Sequence, residues 1–148
     1  MQEKQSPVIV VATANDVTQM PPDFLRKGRF DELFFVDLPN QEEREVIWAI
    51  QIAKYGCKSE SYNCVALAEA TDGFTGAEIE QAFIEGLYDA FSRGKEPGGT
   101  SLGMLLASQV PLSRLMSEPI TTLRQWAKGR ARPATTPVGE NTARRLAA

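Results

Sequence analysis

Hydrophobic positions along the chain fall into two regimes that meet near residue 39. Before it they come in continuous runs. Residues 7–14 (PVIVVATA) are apolar and β-branched, with polar Asn15 and Asp16 after them. That is the pattern of a strand buried on both faces, as in a parallel sheet. Residues 33–38 (LFFVDL) repeat it and stop at Pro39. Between them, residues 21–28 begin with two prolines and end at a glycine, which predicts a short helix.

Beyond residue 39 the spacing becomes helical. Asn40 with Glu43 forms a capping-box variant ahead of Val46, Ile47, Ile50 and Ala53, and Gly56 closes that helix. Asn63 opens a short helix to about Thr71. Thr75 and Glu78 make a second capping box before the stripe Ile79, Phe83, Leu87 and Ala90, which Gly94 ends. Thr100 is placed to cap a helix bearing Leu102, Leu105 and Leu106, which Pro111 breaks. Ser117 opens a last helix with Ile120, Leu123 and Trp126 on one face. From Arg132 no period persists, so the end reads as a tail.

The fold class expected is an α/β remnant, two parallel-type strands followed by an all-helical bundle, and mostly α. Its segments are a strand-bearing part over 1–39, a helical part over 40–131 and a basic disordered tail over 132–148. Two buried strands do not make a stable sheet without neighbours on both sides. The pattern is that of the end of something larger.

Composition narrows the chemistry. The 148 residues are 43% hydrophobic and 24% charged, as in soluble globular proteins. No apolar run approaches a membrane span and no signal-peptide pattern opens the chain, so a cytoplasmic protein with no membrane partner is the default expectation. There is no histidine, which excludes Ser-His hydrolysis, His general-base chemistry and His-ligated metal. Two cysteines, Cys57 and Cys64, are too few for a zinc knot and read as reduced thiols at helix ends. Charge is uneven: residues 1–100 carry a net −8 and residues 101–148 a net +5. A basic end of this kind is open to nucleic acid or an acidic partner, against the plainer reading of a solvated tail.

The chemically informative stretch is 8–44. A buried-strand pattern delivers Asn15 at its C-terminal end, where open α/β sheets bind ligands. Eleven residues on, the segment 25–31 (LRKGRFD) sets Arg26 and Arg29 three apart beside Gly28. At these residues the chain resembles the second region of homology of the AAA family of ATPases, in which a strand ending Ala-Thr-Asn precedes Leu-Arg-x-Gly-Arg-Phe-Asp and a strand ending Leu-Pro. Here Ala14 stands as an extra residue before Asn15. The segment 72–78 (DGFTGAE) resembles that family's lid signature, and residues 100–132 are most similar to its plastid and cyanobacterial-type branch.

The resemblance implies roles for matching positions. Asn15 matches the sensor-1 residue, whose amide orients the attacking water or the γ-phosphate. Arg26 and Arg29 match the paired arginines that reach a neighbouring subunit's nucleotide. A planar cation there stabilises charge on the transferring phosphoryl group and is typically worth about 10³–10⁵ in rate. Gly76 and Ala77 match the start of the lid helix, which approaches adenine and ribose. The family uses ATP with Mg²⁺ and works as a ring of AAA subunits, commonly a hexamer, remodelling another macromolecule.

The residues also have plainer readings: Asn15 as a turn residue, the arginines as a solvated pair at a helix end, Thr75 and Glu78 as a cap. Asp31 and Asp37 are assigned no catalysis. No phosphate-loop motif occurs, since the Gly94-Lys95 pair is followed by Glu-Pro, and no apolar strand ends in two acids to hold Mg²⁺. The expectation is therefore an AAA ATPase segment that is inactive alone. The alternatives are a non-catalytic module docking on complete AAA subunits, or a nonspecific nucleic-acid binder through the basic end.

Overall fold

The computed structural model describes residues 8–17, 20, 21, 23, 28–95 and 98–135. Helices stand where the periodicity and the caps put them. Helix α1 (Gln41–Lys54) opens with the expected box: Asn40 Oδ1 accepts from the Glu43 N–H at 2.9 Å, and Glu43 Oε2 accepts from the Asn40 N–H at 2.9 Å. Helix α2 (Cys64–Ala70) is capped by Asn63, whose Oδ1 accepts from the Ala66 N–H. Helix α3 (Gly76–Ser92) opens with the Thr75 and Glu78 box. Gly56 and Gly94, at φ +69° and +61°, turn the chain out of α1 and α3 in the left-handed region that glycine enters without a Cβ penalty.

These three helices and α4 (Gly99–Leu106) enclose one apolar core of Trp48, Ile52, Leu67, Ile79, Phe83 and Leu102 with their smaller neighbours. Phe83 is its aromatic centre. The rings of Trp48, Tyr55 and Tyr62 lie 6.2, 5.7 and 5.7 Å from it, tilted or edge-on, the arrangement aromatic quadrupoles favour. A one-turn helix α5 (Leu112–Leu115) and then α6 (Ser117–Ala127) follow. Among the described residues no helix is long and apolar enough to cross a membrane.

The strand-bearing part differs from expectation in detail. The architecture is mostly helical with two short parallel strands, but they are β1 (Phe34–Phe35) and β2 (Arg132–Pro133). Residues 8–14 form no strand and are exposed, Ile9 at 92% and Val11 at 85%. A strand meant to be covered on both faces needs a sheet around it, and the described residues supply none. Of the run 33–38 only two residues enter a ladder. The helix expected over 21–28 lies largely outside the described residues.

The C-terminal end also departs from a simple tail. The Arg132 N–H donates to Leu33 O and the Ala134 N–H to Phe35 O, both at 2.8 Å. Pro133, which has no N–H, falls between these donors, as an edge strand allows. Only backbone groups make this ladder, so no side-chain period announces it. Residues 136–148 of the expected tail lie outside the described residues. Two smaller corrections concern caps. Gly98, not Thr100, precedes α4 and offers no side-chain cap, and α4 ends at Leu106, ahead of Pro111, which instead precedes α5 as its N-cap.

Candidate functional site

A cleft of about 430 Å³ opens where the strand-bearing part hands over to the helices. The chain from Phe35 to Pro39 makes one side, Glu43 and Ile47 of α1 its floor, and Thr75 and Gly76 at the start of α3 another side. Ile120 and Leu123 of α6 close it. The volume lies within the roughly 300–1,000 Å³ of small-ligand sites, and the lining is apolar with a few polar groups, as such sites are.

The turn before α3 is held firmly. Thr75 and Glu78 cap each other, and Glu78 Oε1 also accepts from the Leu112 N–H at 2.7 Å, tying α3 to α5. Partial burial works to raise the Glu78 pKa, but the hydrogen bonds from Leu112 and Thr75 outweigh it and hold the carboxyl below its ordinary value. Neither the Gly76 nor the Ala77 amide is used by this box. A Cβ built on Gly76 would meet only Ile47 Cδ1, at 3.8 Å, so packing within the chain does not demand glycine there.

Arg44 sets the relation between hinge and helices. The residue is 6% exposed; Nη1 donates to Pro39 O and Nε to Ala68 O, both at 2.9 Å, and Nη2 lies 3.3 Å from Asp72. One side chain thus joins the hinge proline, the end of α2 and the turn that leads to Gly76. Arg124 of α6 grips the Asp37 carboxylate of the same hinge segment through Nε at 2.8 and 3.0 Å and Nη2 at 2.9 Å. Those hydrogen bonds raise the Arg124 pKa further.

Of the expected site residues, Gly76 lines the cleft and Ala77 is exposed beside it. Asn15 lies exposed at a bend and Arg29 exposed in a turn, and neither lines the cleft. Arg26 lies outside the described residues. Cys57 and Cys64 are free and partly buried, and burial, with Glu45 nearby, pushes the Cys64 thiol up, away from reactive thiolate. No three His, Cys, Asp or Glu side chains are grouped as a metal would require among the described residues. Asp37, Glu43, Ile47, Ile120 and Leu123 line the cleft but carry no site role in the sequence reading. A helical stripe marked Ile120 and Leu123 as apolar, but nothing in sequence joins them to a hinge more than eighty positions away.

Relatives identify the sequence. The AAA domain-containing protein ycf46 of Pyropia yezoensis is 44% identical over 136 residues, 90% of this chain and 28% of that protein. The ycf46 protein of Trieres chinensis is 41% identical over the same span, 90% of this chain and 27% of that protein. The chain belongs to the AAA family. Its AAA sequence is also 37% identical to the proteasome-activating nucleotidase of Sulfurisphaera tokodaii, over 60% of this chain and 22% of that protein. The longer ycf46 matches fit the particular likeness of residues 100–132 to one AAA branch. This AAA chain spans about a quarter of the length of the curated ycf46 relatives it matches. No family model matches it, and no solved structure matches it significantly.

Proposed function

We propose that this chain supplies the lid side of an ATP site in a ring of AAA subunits and does not hydrolyse ATP by itself. The observation that carries the reading is the cleft at the hinge, with Gly76 at its edge. Its apolar lining suits a purine base. Its two carboxylates, Asp37 and Glu43, are occupied within the chain and would repel phosphates, so the triphosphate and its Mg²⁺ would point outward to groups from elsewhere. ATP bound this way supplies the phosphoryl group whose hydrolysis drives remodelling. At this cleft the chain's own contribution is to bind and orient the base.

Asn15, Arg26 and Arg29 complete the proposal. The amide of Asn15 orients the attacking water, and the two guanidiniums act on the nucleotide of the adjacent subunit. The exposure of Asn15 and Arg29 is compatible with contacts made only in the ring. The exposed apolar stretch 8–11 favours a second, compatible reading, in which the chain docks on a complete AAA subunit through that segment. The nucleic-acid reading gains nothing comparable, since Arg124 is paired to Asp37 and Arg132 sits 3.9 Å from Glu32.

The test combines calorimetric titration with Mg²⁺-ATP and phosphate release. The chain alone should release no phosphate and bind adenine nucleotides weakly, with Gly76→Val abolishing that binding. Added to an AAA ATPase whose own finger arginines are replaced, it should restore hydrolysis, and Arg29→Ala should not. Phosphate release by the isolated chain that survives Arg29→Ala and Asn15→Ala would overturn the reading.

A further inference from the structure

We infer that α6 is a latched wall of this cleft, with Arg124 as the positioning residue that presents Ile120 and Leu123 to the base. The inference rests on the reading of the cleft as a base site and adds to it a wall built by the C-terminal helix.

Four observations converge. Ile120 and Leu123, three apart on α6, face the cleft across from Thr75 and Gly76. The next residue, Arg124, forks onto Asp37, which lines the same cleft from the hinge side. Immediately after α6, the Arg132 and Ala134 amides fasten the chain to Leu33 and Phe35, the segment that runs into that hinge. The helix is otherwise shallowly seated: Ala127 is its one buried residue, and its N-cap makes no side-chain hydrogen bond. A helix with so little core of its own owes its position to the points where it is tied. The fork and the ladder are two such ties, and both end on the segment 33–37 that runs into the cleft.

The fork is the adjustable one. Both partners are partly exposed, so the pair is screened by salt, and its bidentate geometry places it at the upper end of surface ion pairs. Because Arg124 itself does not line the cleft, replacing it costs the base a wall without changing a residue of the lining.

The test uses the full chain and adenosine, a probe without charge. Adenosine affinity should fall about fivefold in Arg124→Gln, matching the roughly 1 kcal/mol of a good surface pair. The double variant Asp37→Arg with Arg124→Asp should recover it. Removing wall atoms in Ile120→Ala with Leu123→Ala should cost about tenfold. Adenosine carries no charge, so salt should weaken its binding to the native chain and leave Arg124→Gln unaffected. Amide exchange at Arg132 and Ala134 should rise in Arg124→Gln while that of α1 and α3 stays unchanged. Adenosine binding that is indifferent to Arg124, Ile120, Leu123 and salt would overturn the latched wall and leave the base site standing. No adenosine binding at any concentration would overturn both.

Discussion

The Thr71 hydroxyl, fully buried, accepts from Trp48 Nε1 at 3.1 Å and donates to Leu67 O at 2.7 Å. It therefore satisfies an indole N–H at the centre of the core. Thr71→Val keeps the shape and strands that donor, at a cost of about 1–3 kcal/mol. Thr71→Ser keeps the donor satisfied and loses one methyl group, about 0.8 kcal/mol. Urea denaturation followed by tryptophan fluorescence should rank Val as the more damaging change; the reverse order would mean that methyl packing dominates. Glu78 makes a second prediction at this scale. Its pKa is depressed in the fold, so the folded chain binds fewer protons there than the unfolded chain. Its stabilisation is then complete above the unfolded carboxylate value of about 4.3 and fades as pH falls through the lower folded value. Glu78→Gln keeps one acceptor oxygen for Thr75 but sets an NH2 against the Leu112 N–H and removes the charge, as protonation of the acid also does. The gap between native and variant stability, roughly 1 kcal/mol at neutral pH, should close on acidification. A gap that widens below pH 4 would contradict the assigned direction.

Between elements, Arg44 separates burial from charge. Its guanidinium satisfies the carbonyls of Pro39 and Ala68 from a buried position, whereas its acidic partner, Asp72, is 85% exposed. A buried donor set outweighs an ion pair whose acid is in water. Arg44→Met, which takes the donor from Pro39 O and leaves Ala68 O only its long bonds from Thr71, should cost about 2–4 kcal/mol. Asp72→Ala should cost no more than about 0.5 kcal/mol. Thermal melts of the two variants check this, and equal losses would return the weight to the ion pair. The helices around Arg44 were legible in advance because their signals are local: Asn40 with Glu43, Asn63, Thr75 with Glu78, and glycines at 56 and 94 that bracket stripes of 3.6-residue period. The role of Arg44 was not, since a buried arginine and a solvated one look the same in a list of helix positions. The Arg124–Asp37 fork and the β1–β2 ladder were hidden for a related reason. The first joins positions 87 apart, and the second is made by backbone groups on a segment, residues 131–134, with no hydrophobic pattern.

At the scale of the whole molecule, the chain divides into a helical bundle that buries its own core and a strand-forming sequence that does not. Trp48, Ile52, Ile79 and Phe83 are sealed by α1 to α4, and none of residues 8–17 takes part. The apolar run at 7–14 has the pattern of a strand buried on both faces, yet residues 8–14 form no strand. Those residues are exposed here because burial is a property of the neighbours, and periodicity carries no information about whether they are present. This makes one segment behave in opposite ways in two settings. In the chain as it stands, Ile9 and Val11 contribute nothing to the core and offer an uncovered β-forming stretch, the kind that templates association between copies. Replacing both with lysine should leave the unfolding free energy within about 0.5 kcal/mol, as for surface sites generally, while reducing self-association measured by sedimentation. In a longer protein that completes an AAA sheet around this stretch, the same two lysines would be buried without partners. They should then cost about 3 kcal/mol or more, or prevent folding. Loss of the bundle's cooperative melt in the short chain would mean that residues 8–14 already support the core, and the division drawn here between bundle and strand would fail.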